Sequence, residues 1–145
     1  MSRFLFWQRW LFIFSLLVIV FGLGMALLNR TPLFALFDRQ VNPVFWGRDL
    51  LLSPGVDAFQ GWSYGVWGAT MAGWGVFLAF VTRYPFRNRE RWAWQCLALG
   101  LSLWYVTDTA ISLSCGVVFN ALFNTGILIM AALPLFFTRR EFRQP

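Results

Sequence analysis

The sequence predicts an all-α fold: a transmembrane four-helix bundle with short interfacial helices in its first extracytoplasmic loop. Three observations lead there. The chain of 145 residues is 59% hydrophobic and 12% charged, which leaves too few polar groups to cover a surface facing water. Four apolar stretches, about residues 4–28, 62–82, 92–113 and 117–137, are each long enough to cross ~30 Å of hydrocarbon as a helix. The basic residues, all arginine, gather at the edges of those stretches. Together they describe one integral membrane domain, residues 1–145, with an outer loop over residues 29–61.

The first stretch has Arg3 and Arg9 at its start and Gly24-Met25-Ala26 near its end, as a secretory leader would. Its apolar run is too long for one, so it is expected to remain as the first span. The outer loop holds Thr31-Pro32, Asn42-Pro43 and Ser53-Pro54. Each pairs an N-cap residue with a proline suited to the first helical position, so three helix starts are expected. The first two would be short helices lying on the membrane surface, and the third would run into the second span.

Arg83, Arg87, Arg89 and Arg91 fill the second connection, and Arg139, Arg140 and Arg143 follow the last span. In the first loop Arg30, Arg39 and Arg48 are balanced by Asp38, Asp49 and Asp57, and the turn between spans three and four carries no charge. By the positive-inside rule both termini face the cytoplasm. The net charge of +6 is thus a topology signal, and no nucleic-acid partner is expected. Trp7, Trp10, Trp92 and Trp94 fall at the same boundary, where indoles anchor helices between lipid and headgroup.

Span two carries Gly61, Gly65, Gly68, Ala72, Gly75 and Ala79 at helical spacing. In lipid, helices associate through close backbone approach, so this stripe is expected to pack against another span, a second copy or a partner subunit. Span three repeats the device with Ala93, Cys96, Gly100, Thr107, Ala110 and Ser114. Its adjoining face holds Leu97, Leu101, Trp104, Tyr105, Asp108, Ser112 and Cys115.

A tight turn at Gly116 would fold span four back along span three and bring Asn120 and Asn124 to the level of Asp108. A polar cluster of Asp108, Ser112, Asn120 and Asn124 is therefore expected, with Tyr105, Thr107 and Thr109 beside it and Tyr64 and Thr70 within reach from span two. An aspartate inside a span costs about 2.5–3.5 kcal/mol on insertion scales, so an interior position is expected. If the cluster holds the polar head of a ligand, Trp104 and Trp67 would line the pocket.

The absence of histidine and lysine excludes imidazole bases, histidine-ligated haem and Schiff-base chemistry. Cys96 and Cys115 sit at opposite ends of one predicted helix, too far apart for a disulfide and outside any metal motif. No catalytic constellation, metal site or cofactor is expected.

The segments YGVWGATMAGWG, WYVTDTAISLSCGVVFNALFN and LPLFFTRREF resemble a group of small bacterial four-span membrane proteins whose activity is uncharacterised. The resemblance covers the last two-thirds of the chain and implies a bacterial inner membrane location. In size and span count the chain is also similar to DoxX-like proteins and to the sterol-isomerase and sigma-2 receptor group, which implies a bundle able to hold a ligand. The leading reading is a non-enzymatic accessory or scaffold subunit, whose partners are the lipid bilayer and other membrane proteins. The alternative is a binder or carrier of a small hydrophobic molecule such as a lipid, quinone or isoprenoid. A third reading, an enzyme with Asp108 as general acid, lacks a visible base.

Overall fold

The structure, a computed structural model, describes residues 3–47 and 52–142. Arg48, Asp49 and Arg143, which enter the charge argument, lie outside the described residues. The described residues form five α-helices: α1 (Arg3–Leu28), α2 (Ala35–Trp46), α3 (Pro54–Val81), α4 (Arg91–Ser114) and α5 (Val118–Thr138). A π turn, Thr82–Phe86, follows α3 and a 3-10 turn, Arg139–Phe142, follows α5. Four of these helices are long and apolar enough to cross a membrane, so this is a multi-pass membrane protein by helix length and hydropathy.

The outer loop departs from expectation in one respect. Instead of two short helices starting at Pro32 and Pro43, there is one, α2, with Pro43 inside it. At Thr31 the chain makes a turn, with its hydroxyl and its backbone N–H both donating to Leu28 O at 2.7 and 3.0 Å. Regular helix starts only after this turn closes. Pro43 then falls in the last part of α2, where the carbonyl it leaves without a donor belongs to the exposed Arg39 and is open to solvation. Ser53 caps α3 as expected, its hydroxyl accepting from Val56 N at 3.4 Å with Pro54 in the first turn. That helix begins at Pro54, well before residue 62, because the cap lies upstream of the apolar run.

The spans pack in the spatial order α3, α1, α5, α4. Helix α1 is central, with interfaces to both α3 and α5, and α4 packs mainly on α5, with smaller contacts to the two short turns. Among the described residues α3 and α4 share no comparable interface; they are joined through the π turn. That turn exists because Pro85 lacks the N–H that would extend α3, and the ladder widens to pass it.

The α1–α3 interface is made by backbones. A Cβ on Gly22 would lie 2.6 Å from Ala72 N, one on Gly68 would lie 2.5 Å from Ala26 N, and one on Gly75 would lie 2.6 Å from Ile19 Cγ1. At Gly61 it would meet the Arg30 guanidinium, and at Gly65 only Ala26 O, at 3.9 Å. Gly73, on the opposite side of α3, has nothing within 4 Å.

The apolar core fills the end of the bundle that holds both termini. Phe4, Leu11 and Phe14 of α1 meet Phe86, Ala93, Leu97, Ala131, Leu135 and Phe142. Phe86 is completely buried and its ring sits 6.0 Å from Phe4 and 4.8 Å from Phe142. Arg89 closes this end, paired with Glu141 at 3.4 Å and lying over the Phe4 ring. Two of the tryptophans expected at the boundary bond a neighbouring helix: Trp10 Nε1 donates to Met130 O at 3.0 Å and Trp94 Nε1 to Leu135 O at 2.9 Å. At the other end Phe37 of α2 packs among Phe21, Phe34, Phe119 and Phe123.

Substitution on the glycine seam tests this arrangement. Gly68→Val is expected to lower stability in detergent by about 3 kcal/mol or more, since backbone rather than a flexible side chain blocks the new methyls. Gly73→Ala, with open space around it, should be neutral or gain up to ~1 kcal/mol of helix propensity. Equal losses at both positions in reversible unfolding would contradict the α1–α3 pairing.

Candidate functional site

The one carboxylate deep in a span is Asp108, and the α4–α5 hairpin builds a polar cluster around it. Gly116 makes the reversal, with φ of 78°, a conformation that costs glycine little. Val117 N then donates to Ser112 O at 2.8 Å, and α5 starts at once. This register carries Asn120 and Asn124 past Asp108. Each donates its amide to Asp108 Oδ1 at 2.8 Å. Ser112 Oγ donates to the same oxygen at 3.2 Å and to Asp108 O at 2.7 Å, and also accepts from Asn120 at 2.7 Å.

Burial is graded across the group. Asn124 and Ser112 are buried, at 3% and 7% exposure, while Asp108, Asn120 and Trp104 are half-buried. Asp108 Oδ1 accepts three hydrogen bonds; among the described residues none reaches Oδ2. The ion pairs among the described residues are Arg30 with Asp57 and Arg89 with Glu141, and none of them involves Asp108.

The neighbours expected to join the cluster divide. Tyr105 lies one turn farther from the hairpin and pairs with Thr125, hydroxyl to hydroxyl at 3.2 Å, while Thr125 donates to Ala121 O at 2.8 Å. The register that brings Asn120 and Asn124 to Asp108 also brings Thr125 to Tyr105, and that periodicity was available in the sequence. Thr109 Oγ1 is buried without a partner, and Thr107 is exposed. Trp67 is on α3, 59% exposed, its ring 6.2 Å from that of Tyr64. Thr70 is exposed and bonds its own helix at Val66 O.

Tyr64 belongs to a second network that sequence reasoning did not find. Its hydroxyl donates to Asp38 Oδ1 at 3.0 Å and accepts from Gln60 at 3.4 Å, and Gln60 donates to Asn42 Oδ1 at 2.6 Å. These bonds fasten α2 to the first turns of α3. The missed signal is the spacing itself: Asp38 and Asn42 lie one turn apart on α2, as do Gln60 and Tyr64 on α3.

In chemical terms the cluster is one carboxyl group held by two amides and a hydroxyl on a hairpin. No three His, Cys, Asp or Glu side chains come together among the described residues, and both cysteines are free and exposed. Two shallow surface depressions lie elsewhere, one beside Tyr84, Glu90 and Trp92, the other beside Arg30, Asp38 and Arg39.

A double-mutant cycle between Asp108→Ala and Asn124→Ala should show a coupling of about 1–2 kcal/mol. Reversible unfolding in detergent reads it. Strictly additive losses would mean that the two side chains do not depend on each other.

Comparison of the chain with protein families, with curated proteins and with solved structures finds no match. What stands of the resemblances is a small membrane protein with four long apolar helices, and no family is identified.

Proposed function

We propose that the chain is a non-catalytic subunit of a membrane protein complex, with α4 as the helix that meets the partner. The carrying observation is the open face of α4. Of its residues only Ala93, Leu97 and Ser112 are buried. On the side away from α5, Cys96, Gly100, Thr107, Ala110 and Ser114 are exposed at helical spacing, with the exposed Leu103 set between Gly100 and Thr107 and Leu99 and Val106 beside them. Gly100 has nothing within 4 Å of an added Cβ, and the Thr107 hydroxyl makes no hydrogen bond among the described residues.

The contrast with α3 supports this reading. Its exposed side carries six aromatic residues, Phe59, Trp62, Trp67, Trp74, Phe77 and Phe80, large groups that suit acyl chains, whereas α4 beyond Trp92 exposes aliphatic, small and polar residues. Small and polar residues contribute little against lipid; they permit a second helix to come close and to hydrogen-bond. The arginine distribution supports placing both termini in the cytoplasm, with α2 on the outer face of a bacterial inner membrane.

Photo-crosslinking in native membranes tests the face. A crosslinking residue at position 107 should give one discrete protein adduct, and one at position 77 should give lipid adducts alone. Lipid adducts alone at both positions would sink the proposal. For orientation, a single cysteine at position 47 should react with an impermeant reagent in intact cells and one at position 140 should not, with Cys96 and Cys115 replaced by serine. The opposite pattern would reverse the topology.

A further inference from the structure

We infer that the Asp108 cluster is a binding site for the primary ammonium head of a membrane amphiphile, reached from the lipid through the gap between α3 and α4. This goes beyond the subunit proposal and does not depend on the open stripe of α4, which lies on another side of that helix.

Position is the first argument. Leu97, Leu101, Trp104, Asp108 and Ser112 follow one another along the inward side of α4. Leu97 belongs to the core and Leu101 packs against it, and there the core stops. Toward the hairpin turn, Trp104 and Asp108 occupy inward positions and are only half-buried. Helix α3, the element that would cover them in a closed bundle, packs on α1 instead. Asp108 precedes the Cys115 cap by two turns, about 10 Å of helix at 1.5 Å per residue, a depth that a lipid head drawn slightly inward can reach with its chains still in the bilayer.

Valence is the second argument. Donors from the chain fill Oδ1. The groups left over are Asp108 Oδ2, the side-chain carbonyls of Asn120 and Asn124, and one N–H of Asn124, none of which has a hydrogen-bond partner among the described residues. Three of the four are acceptors, so the missing partner is chiefly a donor. A hydroxyl offers one proton and a quaternary ammonium none, whereas a primary ammonium offers three.

Charge is the third. A carboxylate out of water needs a counter-charge, and among the described residues no cation pairs with Asp108. An ammonium head provides it in the form of charge-assisted hydrogen bonds. Binding of a quaternary head would call for an aromatic cage, whereas the side chains bonded to Asp108 are two amides and a hydroxyl.

Native mass spectrometry of the full chain in detergent tests the inference, with phosphatidylethanolamine and phosphatidylcholine of identical acyl chains added in competition. Phosphatidylethanolamine should be retained about tenfold or more over phosphatidylcholine, and Asp108→Asn should abolish that preference. A long-chain alkylamine distinguishes the sources. If it displaces the phospholipid, the ammonium alone is recognised; if it fails while phosphatidylethanolamine binds, the ligand is an aminophospholipid. A second reading needs no variant: carbodiimide modification of Asp108 should be slowed by phosphatidylethanolamine and not by phosphatidylcholine. Equal retention of the two lipids, a preference that survives Asp108→Asn, or equal protection of Asp108 would overturn the inference.

Discussion

Inside hydrocarbon a polar group that the protein does not satisfy is satisfied by nothing, and most of this structure follows from that constraint. Pro134 lies within α5 and removes the N–H that Met130 O would accept. The indole of Trp10 supplies the replacement, and in doing so ties α1 to α5. Trp94 does the same for α4 by reaching Leu135 O near the end of α5. At the π turn the Gln8 amide, buried in the core, donates to Thr82 O at 3.2 Å. Each bond is worth on the order of 1 kcal/mol net, yet each also fixes a helix rotation. The interruptions in the ladders are where the neighbouring helices attach.

The same constraint explains why α1 rather than α3 is central. Against α3 it offers Gly22 and Ala26, so the two backbones touch and dispersion replaces the missing hydrophobic drive. Against α5 it offers Trp7 and Phe21, which meet Phe137 and Phe123. One face of α1 is flat and the other is bulky, and two partners of opposite shape fit them. With α3 held backbone to backbone on α1, it is not free to roll toward α4, and the inward side of α4 near the hairpin stays half-covered. Helix α2 bridges part of that end, fastened to α3 through Asp38 and Asn42 and to α5 through the Phe37 ring.

Much of this was legible in the sequence, and the boundary of legibility has a physical cause. The spans could be read because length and hydropathy are properties of single segments. The Asp108 cluster could be read because a tight turn leaves an antiparallel hairpin only one register, so spacing on α4 and α5 becomes proximity. Thr125 was legible by the same arithmetic. Trp67 was a different matter: whether it meets Asp108 depends on which helices are neighbours, and four spans can be ordered in several ways with the same hydropathy. The course of α2 was hidden for another reason. Proline after Asn42 signals a helix start wherever the preceding chain is not already helical, and a turn at Thr31 had already begun one.

A carboxylate has two oxygens, and the fold uses one. Oδ1 gathers both asparagines and Ser112, which is sufficient to hold the register of α4, the span with the fewest buried apolar residues to hold it otherwise. A slip of α5 by one residue would turn Asn120 and Asn124 about 100° away and leave Oδ1 without its amide donors in a medium that cannot replace them. That role requires a charged or strongly accepting atom, and an asparagine at position 108 would supply a weaker one. It does not require a second oxygen. The bonds at Oδ1 thus account for the fold's use of Asp108, and Oδ2, which receives none among the described residues, is the oxygen that the proposed ammonium ligand would meet.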